Sequence, residues 1–200
     1  MAKFTMLTQI LCRDKIEMIY YTDKWRQKYM KNNIVLIGMP GVGKSSVGVI
    51  LAKILGYRFV DSDLLIQEQE GKLLHEIIDE MGIDGFLEVE NRVNASIDCE
   101  RCIIATGGSA IYGKEAMEHL SQIGTVLYLK VNYQSLSKRL GNLRGRGVVI
   151  KEGRTLFDLY NERMPLYEKY AEITVDEDDC DGVSDTIAKI LDKLQEPQFA

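Results

Sequence analysis

Short apolar runs alternate with amphipathic segments along most of this chain. Ile34–Ile37 is apolar throughout, which is typical of a strand buried on both faces. Further strands are predicted over 58–60, 102–105, 125–131 and 173–175. Helical spacing of apolar residues predicts helices over 44–55, 64–70, 73–81, 86–97, 114–121, 133–140, 156–170 and 184–194. This alternation predicts an α/β fold with a parallel sheet covered by helices on both faces.

Two stretches lack this alternation. Residues 1–29 carry apolar side chains without a clean period, so they are predicted to form an N-terminal extension before a domain over residues 30–200. We expect a chain that begins at Met30 to keep its activity; the alternative is that residues 1–29 are a partner-binding arm. The segment 141–152 opens with a run of glycine and arginine that has no core pattern, which predicts a mobile lid.

The composition is that of an ordinary soluble protein, with 46% hydrophobic and 28% charged residues. A net charge of −5 provides no overall basic field, so neither nucleic acid nor an anionic membrane is an expected partner. Cys99 and Cys102 form a CxxC pair, but no second pair completes a zinc site. No apolar run approaches the roughly 20 residues that span a bilayer. We therefore expect a monomer in the reducing cytoplasm.

Gly38–Ser45 matches the phosphate-binding pattern GxxxxGK[ST] at every fixed position. The segment lies between a predicted strand and a predicted helix, which is the context that this motif requires. Glycine lets backbone amides approach phosphate, Lys44 neutralises phosphate oxygens, and the Ser45 hydroxyl suits Mg²⁺. The sequence therefore predicts a site for ATP and Mg²⁺ that includes Gly38, Gly41, Val42, Gly43, Lys44, Ser45 and Ser46.

Carboxylates and glycines follow the second and third predicted strands. Asp61 and Asp63 come at the end of the second strand, where side chains of an open parallel sheet face the ligand crevice. One can reach Mg²⁺ and the other can accept a hydroxyl proton; the alternative for Asp63 is N-capping of the next helix. Gly107 and Gly108 follow the third strand, either to let amides approach a ligand or to form an ordinary turn.

Arginines are the expected cations of the acceptor side. Arg139, Arg144 and Arg146 flank or lie in the glycine-rich loop, which could bring charge to the transferring phosphate; the alternative is solvated surface charge. Arg163 lies on a predicted helix, where it could clamp a substrate carboxylate.

Several motifs occur together in an order that resembles the shikimate kinase family. They are GMPGVGKSS, DSD, GFLEVE, TGGS, an arginine pair seven residues apart, and ERMPLY, and the likeness covers roughly Ile34–Leu194. The resemblance implies a P-loop three-layer α/β/α fold with a five-stranded parallel sheet, a lid and a substrate-binding helical segment. It also implies ATP-dependent transfer of phosphate to a hydroxyl of shikimate, a small acceptor with a carboxylate.

The resemblance assigns roles to individual residues. Asp63 would orient the acceptor hydroxyl, and Asp61 would support Mg²⁺ together with Ser45. Arg139 would lie near adenine. The transferring phosphate would be held by Lys44, Gly108 and Arg146, and the acceptor by Asp63, Phe86, Glu90, Gly107, Gly108 and Arg163.

Two departures concern the acceptor site. Leu87 stands where the family has an arginine that helps to grip the shikimate carboxylate, and Ser109 replaces a glycine. Glu90 has thereby lost the arginine with which it can pair, and Arg92 lies off its helical face. A substrate ammonium could replace that cation, which makes a hydroxy amino acid such as homoserine an alternative acceptor. A non-catalytic ATP-binding regulatory module is the alternative from another class.

Overall fold

The computed structural model of the chain describes residues 32–139 and 153–195. The strands of this part are β1 (Asn33–Ile37), β2 (Arg58–Asp61), β3 (Cys102–Ala105), β4 (Gly124–Lys130) and β5 (Ile173–Asp176). Its helices are α1 (Lys44–Leu55), α2 (Ser62–Glu70), α3 (Leu74–Ala95), α4 (Lys114–Ile123), α5 (Tyr133–Arg139), α6 (Leu156–Tyr170) and α7 (Val183–Leu194). A short 3₁₀ turn spans Ala110–Tyr112. The predicted extension over 1–29 and the predicted lid over 141–152 lie outside the described residues.

The five strands form one parallel sheet in the order β2-β3-β1-β4-β5. Every residue of β1 and β3 is buried, which explains why these strands are continuous apolar runs. Helix α1 packs beside α7, and α3 packs beside α4. The predicted α/β fold with a five-stranded parallel sheet is confirmed.

Helix boundaries follow local signals, and the largest differences from prediction concern α2 and α3. Helix α1 ends as predicted at Gly56, which adopts a left-handed conformation (φ 66°) that L-residues rarely take. Helix α2 begins at Ser62, earlier than predicted, because the Asp61 side chain accepts a hydrogen bond from the first-turn amide of Asp63. The helices predicted over 73–81 and 86–97 form one helix, α3, with a break at Gly82, where φ is 71° and ψ is 177°.

A small apolar cluster separate from the main core lies between α2 and α3. Its buried members are Ile66, Ile77, Phe86, Val89 and Val93, and we call it the helical-segment cluster. This cluster holds α3 against α2 at the edge of the sheet where β2 ends. Within residues 32–139 and 153–195, no helix has the length and apolar character needed to cross a membrane.

Candidate active site

The loop between β1 and α1 forms a cradle for an anion. Gly38, Gly41 and Gly43 all have positive φ, at 148°, 78° and 106°. At Gly38 a Cβ atom would lie only 2.7 Å from the carbonyl oxygen of Leu129, so glycine is required there. The first amides of the 12-residue α1 receive no side-chain cap. They are therefore available to a phosphate group, which the helix dipole also favours.

Lys44 is buried beneath this loop, with 8% of its surface exposed. Its Nζ donates hydrogen bonds to the carbonyl oxygens of Gly38 and Met39, at 2.8 and 3.0 Å. Desolvation lowers the pKa of Lys44 to about 8, although the nearby carboxylate of Asp63 opposes this shift. The ammonium group is thus weakly hydrated and close to where phosphate oxygens would lie. Because the local dielectric is low, it would attract those oxygens strongly.

Ser45 and Asp61 supply the oxygen atoms that a magnesium ion would need. The Ser45 hydroxyl donates a hydrogen bond to Asp61 Oδ2 at 2.8 Å, beside the cradle. Mg²⁺ prefers such hard oxygen ligands and takes one or two from the protein, with the rest from water and phosphate. The two residues therefore fit Mg²⁺. Asp61 also caps α2. The alternative role of Asp63 was to cap this helix, but the N-cap residue is Asp61.

A cavity of about 380 Å³ joins the cradle to the acceptor side. Ten of the predicted site residues line it: Gly41, Gly43, Lys44, Ser45, Ser46, Asp63, Phe86, Glu90, Gly107 and Gly108. The others that the structure describes lie next to these residues without lining the cavity. They are Gly38, Val42, Asp61, Arg139 and Arg163. Arg146, like Arg144, lies outside the described residues.

The loop after β3 brings three functional side chains together. The Gly107 amide donates a hydrogen bond to the Ser62 hydroxyl at 3.0 Å, which ties this loop to the start of α2. A Cβ atom on Gly107 would lie 2.1 Å from Glu90 Oε1 and 2.9 Å from Asp63 Oδ1. A Cβ atom on Gly108 would lie 3.2 Å from Arg163 Nη1. Two carboxylates and one guanidinium therefore converge on two consecutive glycines.

Asp63 lines this cavity together with Lys44 and Ser45 of the cradle. Desolvation is the main cause that raises its pKa, and the charge of Asp61 adds to the rise while Lys44 opposes it. A carboxylate with a raised pKa accepts a proton more readily than an ordinary aspartate. Asp63 is thus suited to receive the proton of an acceptor hydroxyl.

Arg163 of α6 is almost fully buried, with 1% of its surface exposed. Its Nε donates a hydrogen bond to the Tyr112 hydroxyl at 3.3 Å, and its guanidinium lies 5.3 Å from the centre of the Tyr112 ring. The hydroxyl of Tyr167, one turn along α6, donates to the Gly108 carbonyl at 2.6 Å. These contacts fix the guanidinium beside Gly108, where it can receive a carboxylate.

Arg139 is held by a residue that the sequence did not single out. Its Nη1 donates to Glu177 Oε2 at 2.6 Å and to the Val42 carbonyl at 3.3 Å. The acidic run 176–181 is by composition typical of a solvated loop, but Glu177 is only 3% exposed, so the composition misleads for this residue. Its place directly after β5, at the ligand-binding edge of the sheet, was the signal available in the sequence.

Comparisons with known proteins agree with this arrangement. The family model described as shikimate kinase matches residues 40–195. The shikimate kinase of Actinobacillus pleuropneumoniae serotype 5b is 36% identical over 170 residues, which cover 82% of this chain and 98% of that protein. That of Pasteurella multocida is 36% identical over 170 residues, with coverages of 82% and 97%. This chain belongs to the shikimate kinase family.

Solved structures of the family share the fold. Shikimate kinase from Acinetobacter baumannii in complex with shikimate superposes with a TM-score of 0.73 and 32% identity, covering 85% of this chain and 96% of that one. The enzyme from Bacteroides thetaiotaomicron gives a TM-score of 0.69 at 25% identity, with coverages of 82% and 98%. The predicted family and its P-loop fold are therefore confirmed, and the chain is a phosphotransferase of this family.

Proposed function

We propose that this enzyme transfers the γ-phosphoryl group of ATP to a hydroxyl group of shikimate. The observation that carries the proposal is that the phosphate cradle and the acceptor-side groups Asp63 and Glu90 line one cavity, so donor and acceptor can meet inside it. Membership of the shikimate kinase family supports both the reaction and the acceptor.

Positioning and charge neutralisation account for most of the catalysis. The loop amides and Lys44 hold the β- and γ-phosphates, and Arg163 holds the acceptor carboxylate beside Gly108. Asp63 orients the acceptor hydroxyl and receives its proton as the oxygen attacks phosphorus. ADP leaves when the bond between the γ-phosphorus and its bridging oxygen breaks.

Other parts of the proposal rest on the sequence together with the described geometry. Mg²⁺, when held near Ser45 and Asp61, neutralises charge on the phosphates. Family membership assigns Arg139 to the adenine side and Arg146 to the transferring phosphate, and we adopt both roles in the proposal. We place the enzyme in the cytoplasm as a monomer with small-molecule partners, without nucleic acid or membrane. Residues 1–29 are dispensable for activity.

The direct test is ADP release from ATP with and without shikimate, together with mass-spectrometric detection of shikimate phosphate. We expect shikimate to accelerate ADP release and EDTA to abolish it. Asp63→Asn should remove turnover while ATP still binds. If ATP binds but shikimate never forms a phosphate ester, shikimate is not the acceptor; if no small hydroxyl compound accelerates ADP release, the regulatory-module alternative gains support.

A further inference from the structure

Glu90 is a buried carboxylate that the proposed reaction leaves without a partner. It is 1% exposed, and neither Oε1 nor Oε2 has a hydrogen-bond partner among the described residues. Desolvation raises its pKa to about 7; the nearby Ser109 hydroxyl lowers the pKa only in part, the charge of Asp63 raises it further, and the charges of Arg163 and Lys44 oppose the rise. A buried carboxylate normally has a cation or several hydrogen-bond donors around it. Because no described residue donates a hydrogen bond to either oxygen, Glu90 points to a ligand that supplies a charged donor.

No described cation donates a hydrogen bond to either oxygen of Glu90, although the charge of Arg163 acts on its pKa from nearby. Arg92, two residues along α3, pairs with Glu70 at 2.5 Å. Lys44 donates to two carbonyl oxygens of the phosphate loop. Leu87, one turn before Glu90, packs against the helical-segment cluster and brings no charge. The protein therefore leaves room for a positive group from the acceptor.

The position of Glu90 defines the kind of acceptor that would supply this group. Its Oε1 faces Gly107, whereas Arg163 Nη1 faces Gly108, the next residue. The two glycines are consecutive, so an anionic and a cationic side chain border the same short loop. Asp63, which receives the hydroxyl, also faces Gly107. Glu90, Arg163 and Asp63 are therefore chemically matched to an ammonium, a carboxylate and a hydroxyl of one acceptor.

We propose that the cavity also accepts hydroxy amino acids, with Glu90 binding the ammonium, Arg163 the carboxylate and Asp63 the hydroxyl. The inference rests on the proposed phosphotransfer. The amino-acid oxygen forms the new bond to the γ-phosphorus, the bond to the bridging oxygen breaks, ADP leaves, and the hydroxyl proton passes to Asp63. The product is an O-phospho amino acid. Glu90 would then determine specificity through a charge that shikimate does not carry.

A pair of acceptors that differ only in the ammonium tests this role. L-homoserine and 4-hydroxybutyrate share the hydroxyl, the chain length and the carboxylate, so the ratio of their kcat/KM values isolates the amine. We expect a ratio of about ten to a hundred for the unaltered enzyme, as for a charge-assisted hydrogen bond. Glu90→Gln should reduce the ratio to a few-fold, mainly through the KM for L-homoserine.

Two further variants complete the experiment. Glu88→Gln removes an exposed charge from the same helix and should leave the ratio unchanged. Leu87→Arg leaves Glu90 in place but offers it a protein cation, and it should reduce the ratio even if Glu90→Gln fails to fold. L-serine and L-threonine, each with its deaminated analogue, extend the panel to shorter and branched acceptors.

The outcomes separate this inference from the proposed function. If shikimate is phosphorylated and no amino acid is, or if each amino acid is used no better than its deaminated analogue, the ammonium role is wrong while the kinase function stands. An unchanged ratio in Glu90→Gln or Leu87→Arg contradicts it equally. Turnover of L-homoserine without shikimate supports the inference and corrects the acceptor. Absence of turnover with every acceptor, shikimate included, contradicts the proposed function itself.

Discussion

Replacing Glu90 with glutamine should stabilise the ligand-free protein, and the gain should depend on pH. Glu90 is 1% exposed and has no hydrogen-bond partner among the described residues. Keeping its charge inside the protein therefore costs free energy of folding. Glutamine has nearly the same shape but no charge, so Glu90→Gln removes that cost while it also removes the proposed ammonium site.

The size and sign of the effect follow from the pKa of Glu90. Desolvation raises this pKa from 4.5 to about 7 in the folded protein. Below pH 4.5 the carboxyl group is neutral in both states, so its full contribution to stability is present. As the pH rises through 7 this contribution to stability is lost. The Glu90 carboxyl loses its proton at lower pH in the unfolded chain than in the folded protein, so rising pH favours unfolding. At RT ln 10 for each pKa unit, the loss is roughly 3 kcal/mol.

Urea unfolding of both proteins at several values between pH 5 and pH 8.5 measures this effect. We expect the stability of Glu90→Gln relative to the unaltered protein to grow by roughly 2 to 3 kcal/mol across this range, since part of the loss already occurs below pH 5. A constant offset from the new amide would not affect the slope. Glu88→Gln, at an exposed position of the same helix, should show little pH dependence. A pH-independent difference between Glu90→Gln and the unaltered protein would refute the argument that Glu90 is a desolvated, unpaired carboxylate.

Further predictions concern the donor side, the acceptor side and the N-terminus. Asp63→Asn should lower kcat by about 10² to 10⁴ with an unchanged KM for ATP, measured by ADP release; wild-type kcat would contradict its role as proton acceptor. Glu177→Gln should raise the KM for ATP about tenfold without altering that for the acceptor, because Arg139 loses a charged partner at 2.6 Å. Gly108→Ala should raise the KM for both ATP and the acceptor, since the new Cβ would lie 2.7 Å from the Pro40 ring of the phosphate loop and 3.2 Å from Arg163 Nη1; unchanged KM values would show that the loop yields. A chain beginning at Met30 should keep its kcat and melting temperature, and loss of either would assign residues 1–29 a role.

Local patterns explain which parts of the fold the sequence predicted well. Helix α1 begins at Lys44 and ends at Leu55 as predicted, because the phosphate-loop glycines precede it and Gly56 follows it. Strand β3 also has its predicted bounds, since four consecutive buried residues form a continuous apolar run. These signals depend on neighbours within one turn or one strand.

Contacts between residues far apart in the sequence could not be predicted from it. Arg139 and Glu177 are 38 residues apart and meet because β5 ends beside α5. The hydrogen bond from Gly107 to Ser62 joins segments 45 residues apart. Neither pair has a spacing or composition that marks it in the sequence, because the order of strands in the sheet decides which loops become neighbours.

The sequence by itself determined the phosphate cradle, the family and the uncharged side chain at position 87. The cradle depends on the conformations that Gly38–Ser45 can adopt, and such conformations are a local property. Only the tertiary structure decided that Glu90 is buried, that its two oxygens lack partners among the described residues, and that it faces Gly107 one residue away from the glycine beside Arg163. Burial and the distance between charges arise when α3, α6 and the loop after β3 pack together, and these quantities determine what a carboxylate can bind.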